Sequence, residues 1–357
     1  MASSTRGHGT VLTMSNPHTS GVPEPGLPDL GLPAPVRTRV SDLLGVDYPI
    51  VQAPMGYIAR AQLASAVSNA GGLGIIETSS GQLDQVRDEI VKMRDLTDKP
   101  FGVNIAQLFV RDAAIVDFVH DQGVRFVTTS AGDPTKLTGP LHEAGITVFH
   151  VVPSLHAAQK SIDAGVDGLV VEGGEGGGFK ASRDVATMVL LPLVCSKFDV
   201  PVIGAGGICD GRSLAAAFAL GAEGVQMGTR MVSAAESPVH DNYKGAIVGA
   251  AETGTVFLNR WHKPGFRVLA TPRAEAQERS DDPVMLGSLD GILELYFEGD
   301  LDAAFAFGGQ VAGRIDAVRP VAEILHETVV EFRAVLGALA DRFGSSPHSL
   351  PGASPGS

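Results

Sequence analysis

Between about residues 50 and 231, short apolar runs alternate with longer stretches that are apolar on one helical face. The runs lie at residues 50–53, 73–76, 101–104, 125–128, 146–150, 168–171, 202–204 and 224–226. Each has the length of a strand and is apolar nearly throughout, the pattern of a strand buried on both faces of a parallel sheet. The stretches at 60–70, 82–96, 112–122, 135–144, 154–164, 184–196 and 211–220 predict helices. In 82–96, Leu83, Val86, Ile90, Met93 and Leu96 recur near helical spacing. Gly228 and Thr229 open one more. Strict strand–helix alternation predicts a parallel sheet. Eight units favour closure into a TIM (β/α)8 barrel over an open doubly wound sheet. No Gly-x-Gly-x-x-Gly follows the first run, which weighs against a dinucleotide-binding open sheet.

The alternation places the barrel at residues 37–235, which opens with a lead-in helix at 38–44 with Ser41 as a cap. Residues 1–36 are rich in Pro, Gly, Ser and Thr and too poor in large apolar side chains to form a core, so they read as a disordered tail, as do 344–357. Residues 236–282 carry Pro238, Pro264 and Pro272, with Pro283 just beyond, and read as irregular. Residues 286–297 and 301–315 read as helical. The whole of 236–315 is expected to form a lid over the carboxyl face of the barrel. Residues 321–339 form an amphipathic pattern, and 316–343 are expected to pack back on the barrel as a terminal helix.

Composition narrows the function. The formal charge of −13 argues against nucleic acid and anionic membrane surfaces. The two cysteines, Cys195 and Cys209, have no spacing that suggests a metal or redox pair. No apolar run reaches the roughly 18 residues of a membrane helix, and no charged-then-apolar leader pattern is present. A cytoplasmic enzyme without metal is expected. The oligomeric state stays open, a homodimer being one reading.

In a barrel the chemistry sits at the strand carboxyl ends. These are Ala53-Pro54-Met55, Asn104, Thr129-Ser130, His150, Glu172 with its glycine loop, Gly206-Gly207 and Gln226 to Thr229. The set holds no Ser-His-Asp order, no His/Cys cluster and no carboxylate dyad. Neutral hydrogen-bonding groups suit a large planar cofactor with a phosphate tail. The glycine turns after the last two strands offer backbone N–H groups to one phosphate and leave no second glycine site for an adenylate. His150 reads as a core histidine or a base, and Lys180 as a solvated charge or the pair of a substrate anion. Glu175 reads as a backbone anchor, and Cys209 as a small buried residue.

The motifs VQAPMGYIARAQLASAVSNAGGLGII, KPFGVNI, GLVVEGGEGGG and PVIGAGGICDGRSLAAAFALGAEGVQMGTR, in that order, resemble the nitronate monooxygenases, once called 2-nitropropane dioxygenases. The wider group is similar to flavin enoyl-reductases and NAD(P)H:quinone reductases. A weaker echo lies at residues 308–313. The resemblance implies a TIM barrel binding FMN. It implies contacts at Ala53, Pro54, Met55, Asn104, Glu172, Gly177, Gly207, Gln226, Met227, Gly228 and Thr229. In that family the glycine loop ends in a catalytic histidine. Here Phe179 stands in its place, followed by Lys180, and a benzyl group cannot exchange a proton. The expectation is an FMN-dependent oxidoreductase taking electrons from a small carbon acid or NAD(P)H and passing them to oxygen or another acceptor. The alternatives are an enoyl- or quinone-reductase, and a flavin-binding protein without turnover. His150 and Lys180 are the remaining candidates for proton transfer.

Overall fold

The computed structural model describes residues 33–80, 83–110, 114–285 and 290–344. The barrel strands are β1 (Ile50–Gln52), β2 (Gly74–Glu77), β3 (Phe101–Ala106), β4 (Phe126–Ser130), β5 (Thr147–Val152), β6 (Gly168–Glu172), β8 (Val202–Ala205) and β9 (Gly224–Met227). They pair in parallel in the order β1-β9-β8-β6-β5-β4-β3-β2. The ring closes between β1 and β2. Leu73 N donates to Ile50 O at 2.9 Å and Gln52 N to Leu73 O at 2.9 Å. Beyond that point a side chain completes the seam. Gln52 Nε2 donates to Ile75 O at 3.1 Å, and Ile75 N donates to Gln52 Oε1 at 3.3 Å. The expected (β/α)8 barrel is present.

Two apolar clusters follow from the period-two alternation of the strands. Val51, Ile75, Phe126, Phe149, Val170, Ile203 and Ala205 fill the barrel interior. The helix α1 (Arg39–Leu44) closes its lower end with Val40 and Leu44. Its cap is Thr38 rather than Ser41: Thr38 Oγ1 accepts from Ser41 N and Ser41 Oγ from Thr38 N, a capping box. The opposite strand faces pack on the helices α2 (Ala61–Asn69), α3 (Leu83–Leu96), α4 (Ala114–Asp121), α5 (Thr138–Glu143), α6 (Leu155–Asp163), α7 (Thr187–Cys195) and α8 (Gly211–Ala219). The terminal helix α12 (Val321–Phe343) lies on α8, where the Phe218 and Phe332 rings meet edge to face at 5.2 Å. Residues 33–36 are seated rather than free: Tyr48 Oη donates to Pro33 O at 2.6 Å and Val36 N to Asp47 O at 2.9 Å. The rest of the expected N-terminal tail, and residues 345–357, lie outside the described residues.

The segment expected to be irregular is ordered. A short helix α9 (Thr229–Val232) ends the barrel, and α10 (Asp241–Val248) follows. Then β10 (Thr255–Leu258) and β11 (Gly265–Leu269) form an antiparallel hairpin. Its outer edge takes a third strand, β7 (Gly178–Lys180), from the glycine loop after β6. The helix α11 (Pro272–Glu278) packs beside β10. Residues 286–289 lie outside the described set. In the rest of the stretch expected as a helix at 286–297, Gly291 takes φ +88° and a single turn forms at Glu294–Glu298, which Gly299 ends at φ +78°. The helix expected at 301–315 reduces to a single turn at Gln310–Arg314.

Candidate active site

At the carboxyl ends of the strands, the residues in phase with the inner core point into the mouth. Asn104 follows Gly102, whose face meets Ile75 and Phe126. Its amide donates to Thr128 O at 3.1 Å, Thr128 Oγ1 at 3.0 Å and Ser130 Oγ at 3.3 Å. Asn104 is therefore fixed by the neighbouring strand rather than by a following helix. Thr128 was not singled out in the sequence, although it stands two residues beyond the inner-core Phe126 on β4.

Gln226 sits at the mouth end of β9, 7% exposed, and its Oε1 has no hydrogen-bond partner in the protein. A buried acceptor left unpaired costs about 1–3 kcal/mol, which a ligand donor would recover. Gly206 and Gly207 follow β8 at φ +86° and +79°, a conformation glycine adopts at no steric cost. The register Ala205↔Gln226 sets this turn beside Gly228-Thr229. Thr229 Oγ1 accepts from Gly309 N at 2.9 Å. The Ala53-Pro54-Met55 turn is held from both sides. Ala53 N donates to Met227 O at 2.9 Å, while Met55 O accepts from Ile58 N at 3.0 Å and Ala59 N at 2.8 Å. Behind it the fully buried Glu77 pairs with Arg60 at 2.8 Å and accepts from Tyr57 N at 3.2 Å. The Met227 side chain faces the outer core, so only its backbone reaches the mouth.

The glycine loop after β6 is built on ionic and backbone anchors. Glu175 accepts from Thr187 N at 3.0 and 2.9 Å and from Thr187 Oγ1 at 3.0 Å, which fastens it to the start of α7. Lys180 Nζ donates to Glu172 Oε1; the lysine side chain is 4% exposed and the glutamate 26%. Lys180 is thus neither a solvated charge nor free for a substrate anion. Gly177, which the resemblance implies as a cofactor contact, crosses the far segment back to back on its Cα side. A Cβ there would lie 2.7 Å from Gly308 C and 2.8 Å from Gly309 N.

Phe179 lies opposite Phe266 in the β7–β11 pairing. Its ring centroid is 5.2 Å from that of Phe266, 5.7 Å from Phe307 and 5.8 Å from Phe109. Phe179, where the resemblance implies a histidine, is part of an aromatic wall made by four separate segments.

His150 does not join the mouth. It is in phase with Val148 and Val152 of the outer core, not with Phe149 of the interior. Nδ1 lies 2.7 Å from Thr129 Oγ1, also on the outer face. Burial pushes its pKa down to about 4, so it is neutral near pH 7. Both thiols are held protonated by burial, Cys195 at about 11 and Cys209 at about 12. Among the described residues no cluster of His, Cys, Asp or Glu could hold a metal, and no helix is long and apolar enough to cross a membrane.

A closed parallel barrel whose mouth gathers neutral polar groups and glycine turns is a (β/α)8-barrel enzyme with its ligand site at the carboxyl end. Comparison with known proteins gives the family. The model described as nitronate monooxygenase matches residues 37–113 and 106–331. The chain belongs to the nitronate monooxygenase family, and it is an oxidoreductase. A "(3aS,4S,5R,7aS)-5-hydroxy-7a-methyl-1-oxo-octahydro-1H-indene-4-carboxyl-CoA dehydrogenase" of Mycobacterium tuberculosis is 40% identical over 68% of this chain and 69% of its own length. A nitronate monooxygenase of Paraburkholderia phytofirmans is 30% identical over 82% of this chain and 94% of its own. The solved structure of FabK from Thermotoga maritima superposes with a TM-score of 0.81 at 42% identity, covering 86% of this chain and all (100%) of that one.

Proposed function

We propose that this chain is an FMN-dependent oxidoreductase acting on an apolar carbon skeleton carried as an acyl-CoA-type thioester. The observation that carries the reading is the packing of Phe179 against Phe109, Phe266 and Phe307, which puts an apolar wall where the family has a base. The 40% identity to a relative named as a bicyclic acyl-CoA dehydrogenase supports it.

The residues present fit FMN. The unpaired Gln226 Oε1 offers an acceptor to a ring or sugar donor. Asn104, Ala53 to Met55, Glu172, Gly207, Gly228 and Thr229 would hold the group. FMN, when bound, supplies two-electron redox chemistry at its ring. The aromatic wall excludes water and orients the carbon skeleton. Lys180 Nζ donates to Glu172 Oε1, which fixes both side chains of the loop beside the mouth. When the substrate is oxidised, oxygen or another organic acceptor takes the two electrons; when it is reduced, NAD(P)H supplies them.

A second reading, nitronate oxidation, is favoured by the relative matched over 94% of its length. A nitronate is already deprotonated and needs no base. The test is an absorbance scan of purified protein followed by anaerobic additions. Released FMN, and bleaching by NADPH or by an alicyclic acyl-CoA but not by a nitronate, is expected. Folded colourless protein that rejects FMN overturns the reading, and bleaching by nitronate alone moves it to the second.

A further inference from the structure

We propose that the tip of the β10–β11 hairpin, residues 259–264, binds the purine-nucleotide end of the thioester substrate. This rests on the proposed thioester reading. The tip carries Trp261, the only tryptophan of the chain, 84% exposed. An aromatic side chain of that size left in water is a feature of contact surfaces rather than of cores. Met285, 64% exposed, lies nearby, because Val284 is bonded to the tip.

The exposed ring is presented by a fixed loop. Asn259 adopts φ +57°, and its Nδ2 donates to Pro264 O at 2.9 Å and Val284 O at 2.8 Å. Its Oδ1 accepts from Val284 N at 2.7 Å, and its backbone O from His262 N at 2.9 Å. A loop already held in one shape loses little entropy when it binds.

Charge selects the occupant. In a chain of formal charge −13, Arg260 and Lys263 stand on either side of Trp261 and His262 along the tip, all exposed. Arg260 is only loosely paired, 3.8 Å from Asp184, with its guanidinium over the Phe257 ring at 4.8 Å. Among the described residues Lys263 has no ion pair. An exposed indole flanked by cations matches a purine that stacks and phosphates that pair. A purely apolar partner would not call for the cations, and a bare anion would not call for the indole.

Topology connects the tip to the site. Gly265 pairs with Lys180 and Phe266 with Phe179, so the hairpin that forms the aromatic wall continues directly into the tip. From Phe266 to Trp261 the chain spans at most about 17 Å at strand rise. A pantetheine arm bridges such a gap between a nucleotide at the tip and a thioester at the wall.

Trp261 is its own probe. The flavin-loaded full chain is titrated with coenzyme A, adenosine 3′,5′-bisphosphate, pantetheine and inorganic pyrophosphate while indole fluorescence is read. Saturable quenching by coenzyme A and the bisphosphate, absent with pantetheine and weakening with added salt, is expected. The Arg260→Ala/Lys263→Ala double variant should bind about tenfold more weakly, the loss of two partly exposed charge contacts. Three results overturn the proposal: no saturable response to coenzyme A, an equal response to pyrophosphate, or wild-type affinity in the double variant. If Trp261→Ala turns a dimer into a monomer, the tip is a subunit contact and the proposal also falls. Tip binding without redox turnover of any acyl-CoA refutes the thioester reading and leaves the tip site. Turnover with KM unchanged in the double variant does the reverse.

Discussion

Phe179 and Phe266 face each other across the pairing of β7 with β11, their rings 5.2 Å apart. The position where the family resemblance implies a base is thereby welded into a sheet whose other two strands come from the segment after the barrel. Phe179→His is expected to keep FMN and to raise turnover of a neutral nitroalkane, which must lose its Cα proton, by at least about tenfold, since a positioned base is typically worth more than that. A new pH dependence should appear near the His pKa, roughly 6.5 before perturbation. Steady-state oxygen uptake with the neutral nitroalkane checks it. No gain in a flavin-replete variant means that the wall, not the missing base, sets the reaction.

Gly228→Asp should abolish FMN retention while leaving the barrel folded. A Cβ at this position meets only Ala53 Cβ, at an ordinary 3.5 Å. A carboxylate about 4 Å from a phosphate at an effective dielectric near 20 costs on the order of 4 kcal/mol. Circular dichroism should match the wild type while the flavin absorbance disappears. Wild-type flavin content would place the phosphate elsewhere.

His150 makes stability depend on pH. Its folded pKa, about 4, lies below the ordinary 6.5, so between these values the unfolded chain binds more protons. Stability is therefore full above pH 6.5 and falls as the pH drops toward 4, by about 3 kcal/mol. Urea unfolding across that range should show the slope in the wild type and a shallower one in His150→Gln. Turnover at pH 7 should be nearly unchanged in this variant, because the residue lies outside the mouth. A collapse of kcat with FMN retained would contradict that placement.

Gly177→Ala should cost about 1–3 kcal/mol, because the new methyl would press on the backbone of Gly308 and Gly309. Gly337→Ala is the contrast: nothing outside its own helix and chain neighbours lies within 4 Å of its Cβ position in the exposed part of α12, and a gain of up to about 1 kcal/mol is expected. Paired thermal melts decide both. Equal melting temperatures for the two variants would mean that the crossing is looser than the structure has it.

The barrel was legible because its strands are apolar runs of nearly fixed length, and the same runs marked the mouth residues Asn104, Glu172 and Gln226. The sheet over the mouth was not. Gly178-Phe179-Lys180 has no strand signal of its own and becomes β7 only through β11, far along the chain. The runs TVFL and GFRVL were readable, but Pro264 and Pro272 around them suggested loop. The place of His150 could have been found by counting in twos from Phe149. Its side of the strand, more than its residue type, decides that it takes no part in the mouth. Lys180 could be read as a loop charge, the pair of a substrate anion or a proton-transfer group, and its pairing with Glu172 became visible only once the fold brought the two together.

The seam between β1 and β2 has a consequence for inheritance. Main-chain rungs are copied whatever side chains the gene specifies, short of proline. The rung between Gln52 and Ile75 is different, because a side chain makes it and a single codon can erase it. Gln52→Leu would strand the N–H and C=O of Ile75, at about 2–4 kcal/mol for two buried groups. The ring is thus robust to mutation along its main-chain rungs, those at Leu73 included, and genetically fragile at this side-chain joint between the first strand and the second.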